Sequence, residues 1–434
     1  MYCTIIPNSQ FPIPNSQFPI PNSQFPIPNS QPMPPYLSAS ETAELLGISL
    51  PTLYAYVSRG MIRSEPTGDD HRTRRYLRED VERLKTRKEQ RENPAKAAET
   101  ALNWGEPVLE SAITLIENGR LYYRGQDAVE LAQTRTLEEV AGLIWQGTLS
   151  AEIFTNLRVA RKPSAGVEGQ LPDDRIVEKF QTVLSLAGSE DLLAFDLSPA
   201  GVAKTGARIV RLLAGLLAPN ADENQGVAQM LAEGWGLTAP QAVDLLNLAL
   251  ILCADHELNV SSFTARCVAS AGGTPYGVVI AGLAALQGYK HGGATGQVEA
   301  FLREAGSAGG SRGVIVARIR RGEGIPGFGH KLYPDGDPRG AVLVARVTQD
   351  FPDSPAVILG NAVIAEMAAL NGLRPTVDFG LVMLAGALGL PLGSGLTLFA
   401  LGRTVGWIGQ ALEQYDLDTL IRPRARYTGV IPRK

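Results

Sequence analysis

Histidine is scarce in this chain, with four in 434 residues. Cysteine is scarcer still: Cys3, Cys253 and Cys267 lie far apart and form no Cys-x-x-Cys pair. That argues against a disulfide framework or a cysteine zinc site and suits a reducing cytosol. No metal is expected, because no carboxylate or cysteine completes a ligand spacing with the scattered histidines. A strong charge of either sign is missing too. The formal net charge of −4 is too mild for the whole chain to read as a nucleic-acid or membrane-surface binder. The N-terminus lacks the basic head and continuous apolar core of a secretory signal, so a cytoplasmic location is expected. One run, "FGLVMLAGALGLPLGSGLTLFALG" at 379–402, carries no charge and is long enough to span a bilayer. Glycine and proline interrupt it and no basic bias flanks it. Two packed core helices broken at "LPLGSG" are expected instead, and no membrane partner.

What is present divides the chain into parts. The length allows two or three domains, and a hydrophobic content of 44% is enough for a large core. Residues 6–31 repeat "IPNSQFP" with a period of seven. Two prolines per unit rule out a coiled coil, so residues 1–35 read as a disordered or extended tail. The heptamer CCCAATT in tandem reads Pro-Asn-Ser-Gln-Phe-Pro-Ile through its three frames. The tail is therefore expected to be a translated DNA repeat, with Met33 a candidate natural start.

Residues 36–92 form a unit of their own. "SASE" (Ser38 to Glu41) is a capping box opening one helix, Gly47 turns the chain, Ser49 caps a second helix and Gly60 ends it. A basic segment, "HRTRRY" at 71–76, precedes the charged helix "REDVERLKTRKEQRE". Between Arg59 and Lys96 stand twelve Lys/Arg and eight Asp/Glu, a basic island in an acidic protein. This pattern resembles the winged helix-turn-helix of the MerR and excisionase type. The resemblance implies DNA contacts by Thr52, Tyr54 and Tyr56 on or near a recognition helix. It also implies contacts by Arg72, Arg74 and Arg75 in a wing near phosphates. A solvated basic face on a small docking domain is the plainer alternative.

After the linker "NPAK" at 93–96, apolar residues recur at helical spacing. Asn118-Gly119 sits between two short β-prone runs and predicts a single hairpin. From residue 100 onward an almost all-α domain is expected. Within it lie three of the histidines: His256 in "ADHELNVSS", His291 in "YKHGGATG" and His330 in "GFGHKLYPDGDPR". Glycine beside a histidine lets backbone approach a ligand and leaves N–H groups free for it. Each of the three alone is more simply a packed core histidine, but together they fall within 75 residues. Asp378 stands in the apolar setting "TVDFGLVML", which would raise its basicity. Arg339, Arg403 and Arg422 carry forks that suit a di- or tricarboxylate, although any one alone would read as a surface ion pair.

Taken in order, ADHE, HGGA, GFGH, DPR, VDF, GRTVGW and RPR resemble the citrate synthase family. The resemblance runs from about residue 102 to 434 and is thin between about 158 and 240. It implies an all-α fold over residues 98–434, with a large helical domain and a small one spanning about 293–390. Asp378 would take a proton from the methyl of acetyl-CoA, His291 would hydrogen-bond the thioester oxygen, and His330 would protonate the oxaloacetate carbonyl. His256, Arg339 and Arg403 would hold oxaloacetate, with Arg422 reaching in from a second subunit of a homodimer. Ile325, Pro326, Gly327, Phe328, Gly329 and Lys331 would meet the adenine end of CoA. The family often has a basic residue four positions after this histidine, and here Pro334 stands there. No resident cofactor is implied, since acetyl-CoA is a substrate. Propionyl-CoA, as in a 2-methylcitrate synthase, is the close alternative. A DNA-binding regulator with a synthase-like sensor domain is the reading from a different class.

Overall fold

A computed structural model of the chain describes residues 36–67, 70–78, 80–81, 84–85, 109–155, 157, 175–222, 224–307, 310–425 and 427–432. The repeat tail, the linker and most of the charged stretch 78–92 lie outside the described residues. The chain divides into two compact units, Met1–Val108 and Leu109–Lys434.

In the first unit the capping box forms as expected. Ser38 Oγ accepts the Glu41 N–H while the Glu41 carboxylate accepts the Ser38 N–H at 2.8 Å, which starts α1 (Ala39–Leu46). Gly47, at φ 58°, ends it, and Ser49 caps α2 (Leu50–Ser58). Strands β1 (Tyr36–Leu37), β2 (Ser64–Thr67) and β3 (Asp70–Leu77) pair antiparallel in the order β1-β3-β2. The basic segment is thus the central strand of a small sheet as well as one arm of a wing. Two residues of β1 were too few to show a period in the sequence. Leu37, Leu46, Leu53, Ile62, Tyr76 and Val81 form the core. Three N–H groups of Arg63 close on the buried Asp80 carboxylate at 2.9–3.0 Å.

The second unit begins with the hairpin β4 (Thr114–Glu117) and β5 (Arg120–Tyr123), extended by β6 (Gln126–Asp127). Asn118 and Gly119 both take positive φ, 52° and 73°, as a two-residue turn with right-handed strand twist requires. The other elements among the described residues are helices. First come α3 (Ala128–Thr134), α4 (Leu137–Gln146), α5 (Ile176–Glu190), α6 (Pro199–Leu217) and α7 (Val227–Gly234). Then follow α8 (Ala242–Leu252), α9 (Val260–Ser270), α10 (Pro275–Leu286), α11 (Ala294–Ser307) and α12 (Ser311–Arg320). The last are α13 (Pro338–Asp350), α14 (Pro355–Asn371), α15 (Val377–Ala387) and α16 (Ser394–Leu417). The uncharged run 379–402 is two helices, α15 and α16, broken between them as expected. Among the described residues no helix is long and apolar enough to cross a membrane.

Helix α16 runs through the core and packs on α4, α6, α8, α9, α10 and α15. A Cβ at Gly406 would lie 2.2 Å from the Ala254 carbonyl, and one at Gly402 would lie 2.4 Å from that of Leu250. Only glycine lets α16 lie this close to the end of α8. That approach sets Arg403 against the chain that leaves α8. From the other side the Tyr123 hydroxyl donates to the Ile251 carbonyl at 3.0 Å, tying the hairpin to the same place.

Candidate active site

The segment from Cys253 to Asn259, between α8 and α9, carries the first histidine. Asn259 caps α9, its Oδ1 accepting the N–H groups of Ser261 and Ser262 at 3.1 Å. Asp255 is buried and accepts from Thr114 Oγ1 at 2.6 Å and Gln410 Nε2 at 3.3 Å. Between these anchors His256 is buried, with Nε2 3.0 Å from the Tyr333 hydroxyl. Its ring stands edge-on to that of His330, centroids 5.4 Å apart. The Tyr333 ring lies 4.9 Å from that of His330, so the three form one cluster.

His291 comes from the turn between α10 and α11. Its Nε2 lies 2.8 Å from Ser261 Oγ, which also accepts the Trp407 indole N–H at 3.1 Å. The single Ser261 hydroxyl proton has two acceptors in reach, His291 Nε2 and Asn259 Oδ1, the latter at 2.7 Å. His330 is less ambiguous. Its Nδ1 accepts the Leu332 N–H at 3.2 Å, so the neutral ring carries its proton on Nε2. Burial, assisted by Arg403, holds His291 at about 4, and burial with Arg339 holds His330 at about 4. Burial, then Arg339 and Arg403, puts His256 well below the ordinary imidazole range. All three rings are neutral near pH 7.

Two buried guanidinium groups face this cluster. Arg339 is locked to Asp337 by Nε–H and Nη2–H at 2.9 Å each. Arg403 is 1% exposed and its Nε–H donates to the Cys253 carbonyl at 2.6 Å. Among the described residues its Nη1 and Nη2 are buried without a hydrogen-bond partner. A fully desolvated guanidinium with two open nitrogens is a site built for an anion. Asp378, in the first turn of α15, is its chemical complement. Among the described residues its Oδ1 is buried without a hydrogen-bond partner, and Oδ2 accepts from Thr376 Oγ1 at 3.4 Å. Burial raises its carboxyl to about 6 against the opposing pull of Arg339. The arrangement can hold a small polyanion, offer neutral imidazole donors to its oxygens, and take up a proton at Asp378 near neutral pH.

Residues 101–424 match the family model for the C-terminal domain of citrate synthase. The chain belongs to the citrate synthase family. Citrate synthase 2 of Bacillus subtilis is 32% identical over 351 residues, which cover 74% of this chain and 93% of that protein. The 2-methylcitrate synthase of Shewanella oneidensis is 28% identical over 76% of this chain and 95% of its own length. The crystal structure of citrate synthase from Thermotoga maritima matches with a TM-score of 0.65 at 27% identity, covering 76% of this chain and 96% of that one. The chemistry of the second unit is therefore acyl transfer of the citrate synthase type. Residues 36–89 match a family model for a helix-turn-helix domain.

Of the residues that the citrate synthase resemblance pointed to, His256, His291, His330, Arg339, Arg403 and Asp378 meet in this cluster. Arg422 does not: it is exposed on the segment after α16. The loop 325–329 is in place, with Ile325, Pro326, Gly327 and Phe328 half-buried and Lys331 exposed. Its glycines also have a structural role. Gly327 and Gly329 take φ of 83° and 77°, and their polar groups pair with the strand-like segment 374–376. The Gly327 carbonyl accepts the Thr376 N–H at 2.8 Å, and the Gly329 N–H is donated to the Arg374 carbonyl at 3.0 Å. Beside His291, a Cβ at Gly292 would meet Leu286 and one at Gly293 the Gln287 carbonyl, both within 2.6 Å. These glycines shape the turns that present the histidines, and the Gly329 N–H is already committed.

Sequence reasoning missed Ser261, Tyr333 and Asp337. Tyr333 had a weak signal, standing three residues after His330 within the same turn. Ser261 follows the Asn259 cap by two residues and looked like an ordinary first-turn serine.

The first unit sorts its own residues. Thr52 Oγ1 pairs with Ser49 Oγ at 2.9 Å and Tyr56 packs partly on the small core, and both keep part of their surface exposed. Tyr54 is 53% exposed. Arg74 reaches Ser64, and Arg75 pairs with Glu65 at 3.2 Å while lying over the Tyr36 ring. Both arginines remain exposed. Arg72 lies on β3, and its side chain is outside the described residues.

Proposed function

We propose that this chain condenses acetyl-CoA with oxaloacetate and hydrolyses the resulting citryl thioester to citrate and CoA, with no resident cofactor. The observation that carries this reading is the buried Arg403 with two open nitrogens, set beside the neutral rings of His291 and His256. Arg403, Arg339 and His256 would hold the two carboxylates of oxaloacetate, and Arg422 would come from the second copy of a homodimer. Asp378 removes a methyl proton from the thioester. His291 stabilises the enol oxygen with a proton on Nδ1, which requires the Ser261 hydroxyl to donate to Nε2. The enol carbon attacks the ketone while His330, through Nε2–H, protonates the forming alkoxide. Water then cleaves the thioester. Helices α11 to α15 fall in the region proposed as the small domain, and its closure would exclude bulk water during condensation.

The test is release of free CoA thiol, run with acetyl-CoA and propionyl-CoA side by side. Release should require oxaloacetate, and kcat/KM should favour the acetyl ester. One methylene in an apolar pocket separates the two by roughly 10- to 200-fold. No release with either ester sinks the enzyme assignment, and a preference for propionyl-CoA makes the chain a 2-methylcitrate synthase.

A second reading concerns residues 36–92 and is supported by the helix-turn-helix match. We infer that two such units in a cytoplasmic dimer grip a two-fold DNA site through Tyr54 and the arginines of β3. Binding should weaken steeply with salt, and replacing Arg72, Arg74 and Arg75 by alanine should flatten that dependence by about three units of slope. Salt-independent binding, or binding unaffected by the triple replacement, would leave the unit as a protein-docking module.

A further inference from the structure

Asp337 opens the Asp-Pro-Arg run and takes no part in the steps above, yet it joins two halves of the site. It is 2% exposed. Its Oδ1 accepts the backbone N–H of Arg339 at 3.0 Å and the side-chain Nε–H at 2.9 Å. Its Oδ2 accepts Nη2–H of Arg339 at 2.9 Å and the backbone N–H of Val377 at 3.0 Å. Three donors thus come from one arginine. The fourth comes from the first residue of α15, and the next residue of that helix is Asp378. One carboxylate caps α13 and also takes an otherwise unsatisfied N-terminal donor of α15.

Two physical consequences follow. Asp337 occupies one edge of the Arg339 guanidinium, so only Nη1 and the remaining Nη2–H can turn to a ligand carboxylate. It also registers that arginine against the turn that carries Asp378, through one backbone hydrogen bond with no flexible side chain on the α15 side.

We propose that Asp337 is a positioning residue for the condensation, holding Arg339 and the Asp378 turn in one fixed geometry. The role rests on reading Asp378 as the base. The groups acting on Asp378 are Arg339 of α13 and its cap Asp337, and Thr376 and backbone from its own turn. Asp378 and Arg403 of α16 both act on the Cys253 thiol at the end of α8, which burial pushes up to about 12 and keeps neutral. Where α14 and α16 meet α15, Gly360 faces Met383 and Gly395 faces Val382, while Val298 of α11 and Phe379 of α15 close on Gly327. Those three contacts bring no charge.

Asp337→Asn in the full chain tests this through the pH profile of kcat at saturating substrates. The exchange removes a negative charge beside Asp378 and leaves Arg339 uncompensated, and both changes favour the carboxylate. The acid limb of kcat should move down by about one pH unit. Lost registration should also lower the plateau roughly tenfold or more. A folded variant whose acid limb stays at the wild-type pH overturns the proposal. If Asp337→Asn does not fold, Asp337→Glu decides: it keeps the charge and displaces it. A lowered plateau with the acid limb in place is then expected, and a wild-type plateau overturns the proposal. An acid limb missing from the wild type instead overturns the reading of Asp378, and so marks that failure separately.

Discussion

Asp378→Asn is expected to stop CoA release and at the same time to make the protein more stable. The first effect follows from chemistry. A thioester α-proton is weakly acidic, and Asp378 is the carboxylate of the cluster with a buried, unpartnered oxygen. Losing the proposed base should cost roughly 10³-fold or more in kcat. The second effect follows from linkage. Burial lifts the folded-state carboxyl to about 6, above the ordinary aspartate value of 3.8. A group raised in this way binds its proton more tightly in the fold, so its ionisation weakens the fold. That cost is fully present above the folded value and disappears as pH falls through the window from about 6 to about 4. At pH 8 the asparagine variant escapes it, a gain of up to about 3 kcal/mol. Thermal melts at pH 8 and pH 5 check the sign: the variant should gain more over the wild type at pH 8. A variant that melts lower at both would show that the carboxylate is a structural support. In the wild type, kcat should rise through pH 6 as Asp378 ionises, with the three imidazoles neutral throughout.

Arg403→Met should raise KM for oxaloacetate by roughly 10²-fold or more, the usual consequence of truncating one partner of a buried charge pair. The free protein should melt no lower than the wild type. Methionine fills similar space and removes two buried nitrogens without a partner, which offsets the loss of the Nε–H donor to the Cys253 carbonyl. The two effects separate in a thermal-shift titration. Oxaloacetate at about 100 times its Kd should stabilise the wild type by about 2.7 kcal/mol. It should still stabilise Asp378→Asn and fail to stabilise Arg403→Met. Undiminished stabilisation of Arg403→Met would place the anion elsewhere.

Much of the framework was legible in the chain because its causes are local. The Ser38–Glu41 box, the Ser49 cap, the Asn118-Gly119 turn and the break between α15 and α16 each depend on a few neighbouring residues. Capping oxygens, positive-φ glycines and apolar periodicity act over one or two turns. The order of the histidines, the arginines and Asp378 along the chain was enough to recognise the family. The same local reading left out the steric demand on the glycines beside His291 and His330. It could not tell a glycine that opens backbone to a ligand from one that a turn or a neighbouring side chain requires.

The chain by itself determined where the helices begin and end and which polar residues are candidates for chemistry. Tertiary structure alone decided what those residues are. Arg403 meets the Cys253 carbonyl across 150 positions, and Trp407 meets Ser261 across 146. Tyr333 reaches His256 across 77, and Asp337 reaches Val377 across 40. No local pattern encodes such pairs. Nor does any residue type encode burial, which holds His291 and His330 neutral and raises Asp378. The charge state of the site is set by the whole of the packing around it.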